Sequence, residues 1–585
     1  MPAVLDARVP GSTASYRSGM TVRLHPSPAT LRRLADVARG AAEADLVVTG
    51  GALVNVFTEE VQEGWGIAAA DGRIAFVGPD ADVSPRAGSV TQRIDLGGDL
   101  VAPGLIEGHT HFTRVGLGDF ADLQLRAGVT TTIVEYMELA VVTGVEGAVA
   151  LMAAAENVAG RFIFTASGTI VCDPEHDSRL DRDDWVSLLD HPRVAGLGEV
   201  YWADLLRGHP RTEGLIAAAL ERGLPVEGHG AGARLASLNA IAGFGAAADH
   251  EAVTGEEALS RLRLGLYTEL RHGATRQDLA ATSAVWRDGH AEGSRLSFVT
   301  DGLEPDVLAR GDSLNWVVEQ AVEQGMPLAR AVRLASHNVA SRYGLGRWLG
   351  GIGPGMLADL VVLPRGGGFR PRLVLVAGRQ PELSGPPAYP AWMLDTVKLN
   401  GLRPELMVHP GTGRWRAMRQ EAQVVTREVE SDGSDAVVCT VIDRLGGSRG
   451  FRGLWEGFGM RGGGVAITSA WESPGVVIAG DRPDDMAAAA RRVQDLHGGA
   501  AVVSDGKLLA EWEAPLAGLY STAPYGRVVE QAGAVNRALT DLGCRWPNPT
   551  LALETLTTAA IPFLRIWAGG YYRLRDGARP GLVWG

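Results

Sequence analysis

The sequence predicts an α/β protein: a (β/α)8 TIM-like barrel, a small composite β-sandwich flanking it, and a C-terminal α/β domain. Three observations carry that expectation. Between about residues 100 and 350, short apolar strands alternate with longer helical stretches, the pattern of repeated βα units. The run Ala44-Asp45-Leu46-Val47-Val48 returns as Ala358-Asp359-Leu360-Val361-Val362, which fits two similar strands of one small sheet around an inserted barrel. Beyond the proline-rich stretch Pro381 to Pro390, a further set of strands and a helix begins. The expected parts are 1–44 (extension and helix), 45–99 plus 350–385 (sandwich), 100–349 (barrel) and 395–585 (C-terminal domain).

From Ser27 to Ala42 the residues Leu31, Leu34, Val37, Ala38 and Ala41 have helical spacing after a Ser-Pro start. Strands are expected at Leu46–Val48, Leu53–Val56 and Ile67–Ala70, and Asp71-Gly72 suits a tight turn into Ile74–Val77. Barrel strands are expected at Thr131–Val134, Phe162–Thr165, Val194–Leu197, Pro225–Glu227 and Leu296–Thr300. The last domain reads as strands Ala436–Val441, Val476–Ala479 and Ala501–Val503, with a helix from Asp484 to Leu496.

Composition narrows the function. The 585 residues carry 55 basic and 68 acidic groups, a net charge of −13. That balance disfavours a nucleic-acid polyanion or an anionic membrane as the main partner. A hydrophobic share of 46% excludes wholesale disorder. No stretch approaches the ~18 consecutive apolar residues of a membrane span, and Met1 to Gly19 has no apolar signal-peptide core. Cys172, Cys439 and Cys544 are odd in number and far apart, so neither a disulfide framework nor a zinc ribbon is expected, and a cytoplasmic location is. Lysine occurs at Lys398 and Lys507 alone. No lysine in the first 397 positions can therefore form a Schiff base, a phosphate loop or a carbamylated metal ligand.

The chemistry-bearing residues cluster at strand ends, where barrel enzymes place catalytic groups. His109 and His111 follow the apolar segment Leu100–Ile106. At i and i+2 of a strand, two imidazoles face one side and can chelate one ion. Glu199 ends Ala195–Gly198, His229 follows Pro225–Gly228, His250 sits in Asp249-His250-Glu251, and Asp301 ends Ser297–Thr300. Singly, each has a structural explanation as a core histidine or a helix cap. Together, four histidines and two carboxylates make a coordination set for one or two divalent ions. Such an ion lowers the pKa of a bound water from 15.7 to about 7, and mixed imidazole and carboxylate ligands suit manganese, iron or zinc. Asp301 is the expected proton shuttle from attacking water to a leaving amine.

These motifs resemble the amidohydrolase superfamily and, within it, the adenine deaminase family, over nearly the whole chain. Ala102-Pro103-Gly104-Leu105-Ile106-Glu107-Gly108-His109-Thr110-His111 looks like the superfamily's first-strand motif. Gly196-Leu197-Gly198-Glu199-Val200, Glu227-Gly228-His229, Asp249-His250-Glu251 and Thr300-Asp301 match family motifs in order. Asp484-Asp485-Met486, His497-Gly498-Gly499, Ala517-Gly518-Leu519 and Ile561-Pro562 look like the family's C-terminal domain. The resemblance implies that His109 and His111 hold one ion with Asp301, that His229 and His250 hold a second, and that Glu199 bridges them. With no barrel lysine, a carboxylate is the bridge available.

Departures fall on the substrate side. The family's His-Ile-Glu-Ser-Ser becomes Phe112-Thr113-Arg114-Val115, and Asp-Pro-His-Glu becomes Glu135-Tyr136-Met137-Glu138, keeping Glu138. Arg-Glu-Gly-Ser becomes Arg271-His272-Gly273-Ala274, the doubled aspartate becomes Asp301-Gly302, and His-Asp-Ser-His-Asn becomes Trp471-Glu472-Ser473-Pro474-Gly475. Asp301, Glu199 and Glu138 are the expected catalytic residues. Arg114, Glu138, Glu251, Arg271 and His272 are the expected substrate contacts, the arginines through their bidentate fork.

The expected enzyme is a metal-dependent hydrolase in which metal-bound hydroxide attacks an amino-substituted N-heterocycle and releases ammonia, away from adenine itself. It would act on a small molecule as a homodimer. Hydrolysis of a cyclic or acyl amide by the same dinuclear site is the alternative, and an inactive binding paralogue is a weaker one. Gly446-Gly447-Ser448-Arg449-Gly450 matches Gly-x-Ser-x-Gly, but no apolar helix start follows, so a nucleophile elbow is not expected.

Overall fold

The computed structural model describes residues 13–15, 21–112, 114–168, 182–287, 293–561 and 563–585. Most of the N-terminal extension, Thr113, Cys172 and Pro562 lie outside the described residues. Eight parallel strands form one sheet in sequence order: β1 (Leu105–His111), β2 (Val129–Glu135), β3 (Arg161–Ala166), β4 (Val194–Tyr201), β5 (Val226–His229), β6 (Ala246–Asp249), β7 (Tyr267–Arg271) and β8 (Leu296–Val299). Helices on the outside and side chains within bury both faces, which is why these strands read as near-continuous apolar runs. The end of β8 returns to β1, where the Asp301 amide donates to the His109 carbonyl at 3.1 Å and the Thr110 and Thr300 hydroxyls meet at 3.2 Å.

The apolar segment expected to lead into the first barrel strand serves two sheets. Leu100–Pro103 pairs antiparallel with Leu360–Leu363, and the barrel strand begins at Leu105. Gly104 is the pivot: a Cβ there would stand 2.2 Å from Thr130 Oγ1, so the chain turns only because the side chain is absent.

The two similar runs lie in different sheets, contrary to expectation. Ala44–Thr49 belongs to a four-stranded sheet and Leu360–Leu363 to a five-stranded one. Their inner faces share one core, in which Leu46 and Val48 meet Leu360 and Val362. The likeness reflects equivalent positions in a sandwich. The Asp71-Gly72 turn joins Trp65–Ala70 to Arg73–Pro79 as an antiparallel hairpin. The N-terminal helix runs Pro28–Ala38 with Ser27 capping the Thr30 amide. Leu34 and Val37 pack on the four-stranded sheet, whereas Leu31 is exposed.

Beyond the barrel, eight strands from Trp415 to Glu513 form a largely antiparallel sheet. Helix Pro483–Asp495 covers one face, with Met486, Ala489, Ala490 and Val493 against Val438, Ile442, Ala466 and Ile478. On the other face, Val437, Val441, Trp455 and Val465 join a continuous apolar core with barrel residues such as Phe112, Met137 and Phe164. The sheet is thereby docked on the barrel. Residues 446–450 merely connect two antiparallel strands, Ala436–Asp443 and Gly450–Glu456, so the Gly-x-Ser-x-Gly match is not an elbow. The stretch Met137–Asn157 is long and apolar enough to cross a membrane by length and composition. It is mostly buried as the barrel helix after β2 and breaks at Gly144, φ 66°. Cys439 and Cys544 are free and buried.

Candidate metal centre

The strand ends bring the expected ligands together. Ligand atoms of His109, Glu199, His250 and Asp301 all lie within 4.8 Å of one another, and those of His229, His250 and Glu251 form a second such group. His109 Nε2 is 3.1 Å from Glu199 Oε1 and 3.5 Å from Asp301 Oδ1. His250 Nε2 stands 3.2 Å from Glu199 Oε1 and 3.5 Å from Glu251 Oε1. His229 Nε2 reaches Glu251 Oε1 at 3.5 Å.

The distances divide the ligands differently from the resemblance. His250 belongs to both groups, and Glu251, expected against substrate, joins His229. His111 stands farther off, its Nε2 3.6 Å from Asp301 and 3.9 Å from Glu199, because its Nδ1 is drawn to Glu138 at 3.1 Å. Glu138 therefore orients His111 as well as lining the cavity.

Electrostatics suit a cation here. The Nε2 atoms of His109 and His250 are sealed from solvent and lack a well-aligned hydrogen-bond partner. Burial opposes protonation of His109, but contacts with Asp301 and Glu199 overcome it and raise its pKa to about 10, so an ion held by these carboxylates would displace that proton. Burial and then the charge of His109 hold His250 below the usual imidazole value, which favours the neutral ring that a metal requires. Burial works against ionising Glu199 and Asp301, yet the surrounding imidazoles and, for Asp301, first of all Arg271, hold both well below the usual carboxylate range. Ionised carboxylates and orphaned imidazole nitrogens at these separations fit a divalent ion with ligand distances of roughly 2.0–2.2 Å after slight contraction.

Arg271 grips the protein's own acids rather than waiting for a substrate's. Its Nη1 donates to Glu251 Oε1 at 2.5 Å and to Asp301 Oδ2 at 2.8 Å. Thr275 Oγ1 donates to the same Asp301 oxygen at 2.8 Å. Asp301 sits at φ 58° and Gly302 at φ 118°, a turn that aims Oδ1 at the histidines.

Two expected substrate contacts face elsewhere. Arg114 Nε and Nη2 bind Glu554 at 3.1 and 2.6 Å, Nη2 binds Thr550 at 2.9 Å, and Nη1 binds Glu304 at 2.8 Å. Its fork is filled by the C-terminal region and by the loop after β8, so it clasps the two parts. His272 packs edge-on to Trp316, ring centroids 4.2 Å apart, and burial lowers its pKa to about 4. Neither residue lines the cavity over the ligands.

That cavity measures about 140 Å³, a size that suits a small molecule. The barrel supplies His111, Glu138, Glu199, His229, Glu251, Arg271, Thr275, Arg276 and Asp301, and the C-terminal region supplies Val424, Val425, Trp471, Glu472, Thr558, Ala560 and Ile561. Trp471 does reach the barrel mouth, its ring parallel to His111 at a centroid distance of 6.2 Å.

Several contributors were missed in the sequence. Tyr201 donates to Glu199 Oε2 at 3.4 Å; its place two residues beyond Glu199 on one strand was the available signal. Glu107 accepts from the amides of His109 and Thr300, and Glu135 from the amide of Glu199 at 3.2 Å. Burial raises both acids to about 7. They hold the backbone of the ligand strands from below.

Residues 100–381 match the amidohydrolase family, and residues 415–577 match the adenine deaminase C-terminal domain. An adenine deaminase of Cenarchaeum symbiosum (strain A) is 31% identical over 579 residues, covering 94% of this chain and 95% of that one. One from Moorella thermoacetica is 31% identical over 577 residues, covering 92% and 96%. One from Rubrobacter xylanophilus is 32% identical over 581 residues, covering 92% and 94%.

Proposed function

Because the chain belongs to the adenine deaminase family of amidohydrolases, we propose that its barrel mouth deaminates an amino-substituted N-heterocycle other than adenine. The protein is a metal-dependent hydrolase of C–N bonds resembling adenine deaminase and acts on a small molecule. His109, Glu199, His250 and Asp301 would hold one divalent ion, approached by His111, and His229, His250 and Glu251 a second. Manganese, iron and zinc all suit this ligand set. When bound, the ion supplies a water acidic enough to ionise near neutral pH.

The chain's own residues supply the rest. Asp301, ionised and fixed through Oδ2 by Arg271 and Thr275, takes a proton from the attacking water on Oδ1. It delivers that proton to the leaving amine, so water and the amino-heterocycle become the oxo-heterocycle and ammonia. Glu138 orients His111, and Trp471 stands parallel to that ring across the cavity.

The single observation behind this reading is the convergence of His109, Glu199, His250 and Asp301 beneath one cavity at the barrel mouth. The substrate shift rests on Trp471 and Glu472. Among the described residues, they are the altered family motif that lines the cavity, whereas Arg114 and His272 do not. An ammonia-release screen of purines, pterins, pyrimidines and cyclic amides with metal-reconstituted protein tests it. Adenine turnover at an ordinary enzymatic rate would overturn the substrate assignment. Ring opening without ammonia would favour the amide hydrolase alternative. We also propose a cytoplasmic homodimer, supported by cysteine usage for the compartment; light scattering showing a monomer would exclude the dimer.

A further inference from the structure

Glu472 comes from the C-terminal sheet, in the loop between Gly464–Ile467 and Gly475–Gly480, and stands at φ 58°. Its carboxyl is buried. Thr558 Oγ1 donates to Oε1, and the Ala559 amide donates to Oε2 at 2.8 Å. The same carboxyl shares a hydrogen bond with the Tyr201 hydroxyl. Tyr201, on β4, donates in turn to Glu199 Oε2 at 3.4 Å and packs edge-on to His229. Glu199 Oε1, its other oxygen, faces His109 and His250.

The terminal torsion of a glutamate is soft, so a ligand carboxylate keeps its orientation only if its second oxygen is held. Held by Thr558 and the Ala559 amide, Glu472 anchors the hydroxyl that reaches Glu199 Oε2.

We propose that Glu472 is a positioning residue for the metal centre: through the Tyr201 hydroxyl it orients Glu199, so the ligand set is complete only when the C-terminal sheet is docked. This rests on the reading of Glu199 as a metal ligand. Partners behind a ligand typically change metal affinity 10–100-fold.

Equilibrium dialysis of manganese(II) against the full-length protein reads the effect, with thermal melts alongside. Glu472→Ala and Tyr201→Phe should each weaken manganese binding about 10-fold or more, and the double variant should be no weaker than Tyr201→Phe. Glu472→Gln, which keeps a donor, should bind within about 3-fold of the native protein. Independent, multiplicative losses, or native affinity in Tyr201→Phe, would overturn the relay. Tyr201→Phe leaves the C-terminal contacts of Glu472 in place, so it decides the matter even if Glu472→Ala undocks the sheet. Glu199→Gln in the same dialysis separates the two readings. If it binds manganese as the native protein does, the ligand assignment fails; if it loses the metal while Tyr201→Phe does not, only the relay fails.

Discussion

The two walls of the cavity are made of different materials. The barrel wall presents imidazoles, carboxylates and two arginines from the ends of successive strands, each held by a second polar group: His111 by Glu138, Asp301 by Arg271 and Thr275, Glu199 by Tyr201. The facing wall presents Val424, Val425, Ala560 and Ile561 with Trp471, Glu472 and Thr558, on loops of the C-terminal region. The charged groups stand on barrel strands or within a few residues of their ends, and the apolar groups stand on connections of the C-terminal region. The candidate ligands thus all lie on the barrel wall, and the facing wall, Glu472 apart, offers mainly apolar shape.

The sharpest way to break that division is to attack the barrel wall. Asp301→Asn should lower kcat/KM for the substrate found in the ammonia screen by about 10³-fold, within the range for losing a general acid–base group. Circular dichroism and thermal melting should show the fold retained. Activity within 10-fold of native would remove Asp301 from the shuttle role.

Next in size is a contrast between two buried arginines. Arg271→Met would take the arginine from Asp301 and leave Glu251 only its 3.4 Å contact with Arg276, and breaking a buried pair costs about 3–5 kcal/mol, measurable by urea unfolding. Arg114→Met breaks the clasp to Glu554 and Glu304 at a comparable cost. The expected distinction is in metal content: Arg271→Met binds less manganese, and Arg114→Met binds as much as the native protein. Equal losses in both would mean that the metal centre and the docking clasp are one unit.

The same pair shows what the sequence could and could not reveal. The polar cluster of the barrel wall is legible because most of its members lie at predictable strand ends, and His109 and His111 share a face by strand periodicity alone, although Glu251 was expected against substrate and instead joins His229 and His250. The lysine census already excluded a carbamylated lysine from this cluster. Arg114 and Arg271 look alike in sequence, both near ligands, and their partners lie far away: Glu554 is 440 residues from Arg114. Val424, Thr558 and Ile561 are similarly silent, since they meet the barrel only because Thr426 pairs with Phe563 and the sheet docks through its apolar face. The two copies of Ala-Asp-Leu-Val-Val misled for a related reason, because equivalent faces of a sandwich select the same residues in opposite sheets.

A smaller effect probes the C-terminal wall directly. Trp471→Ala removes the ring parallel to His111 but no ligand. It should raise KM about 10-fold, in the range set by apolar pocket contacts, with kcat within about 3-fold and metal content unchanged. A fall in kcat at unchanged KM would place Trp471 among the groups acting on the transition state.

An effect that vanishes at pH 7 concerns His272, beside the barrel wall yet outside the cavity. Its pKa is lowered by burial from 6.5 to about 4 in the folded protein. Between those values the unfolded chain binds a proton that the folded one does not, so folding stability rises with pH across this window. It is lost as pH falls from about 6.5 toward 4, with a slope of up to about 1.4 kcal/mol per pH unit. Both ring nitrogens are buried without a hydrogen-bond partner, and the ring meets Trp316 edge-on, a contact that phenylalanine can reproduce. His272→Phe should therefore match the native protein in kcat/KM and in stability at pH 7, and become the more stable of the two as pH approaches 4. Urea midpoints measured on both proteins at half-unit intervals cancel every other titrating group they share. Parallel curves would mean that His272 titrates normally, and a loss of activity at pH 7 would return its ring to the substrate side.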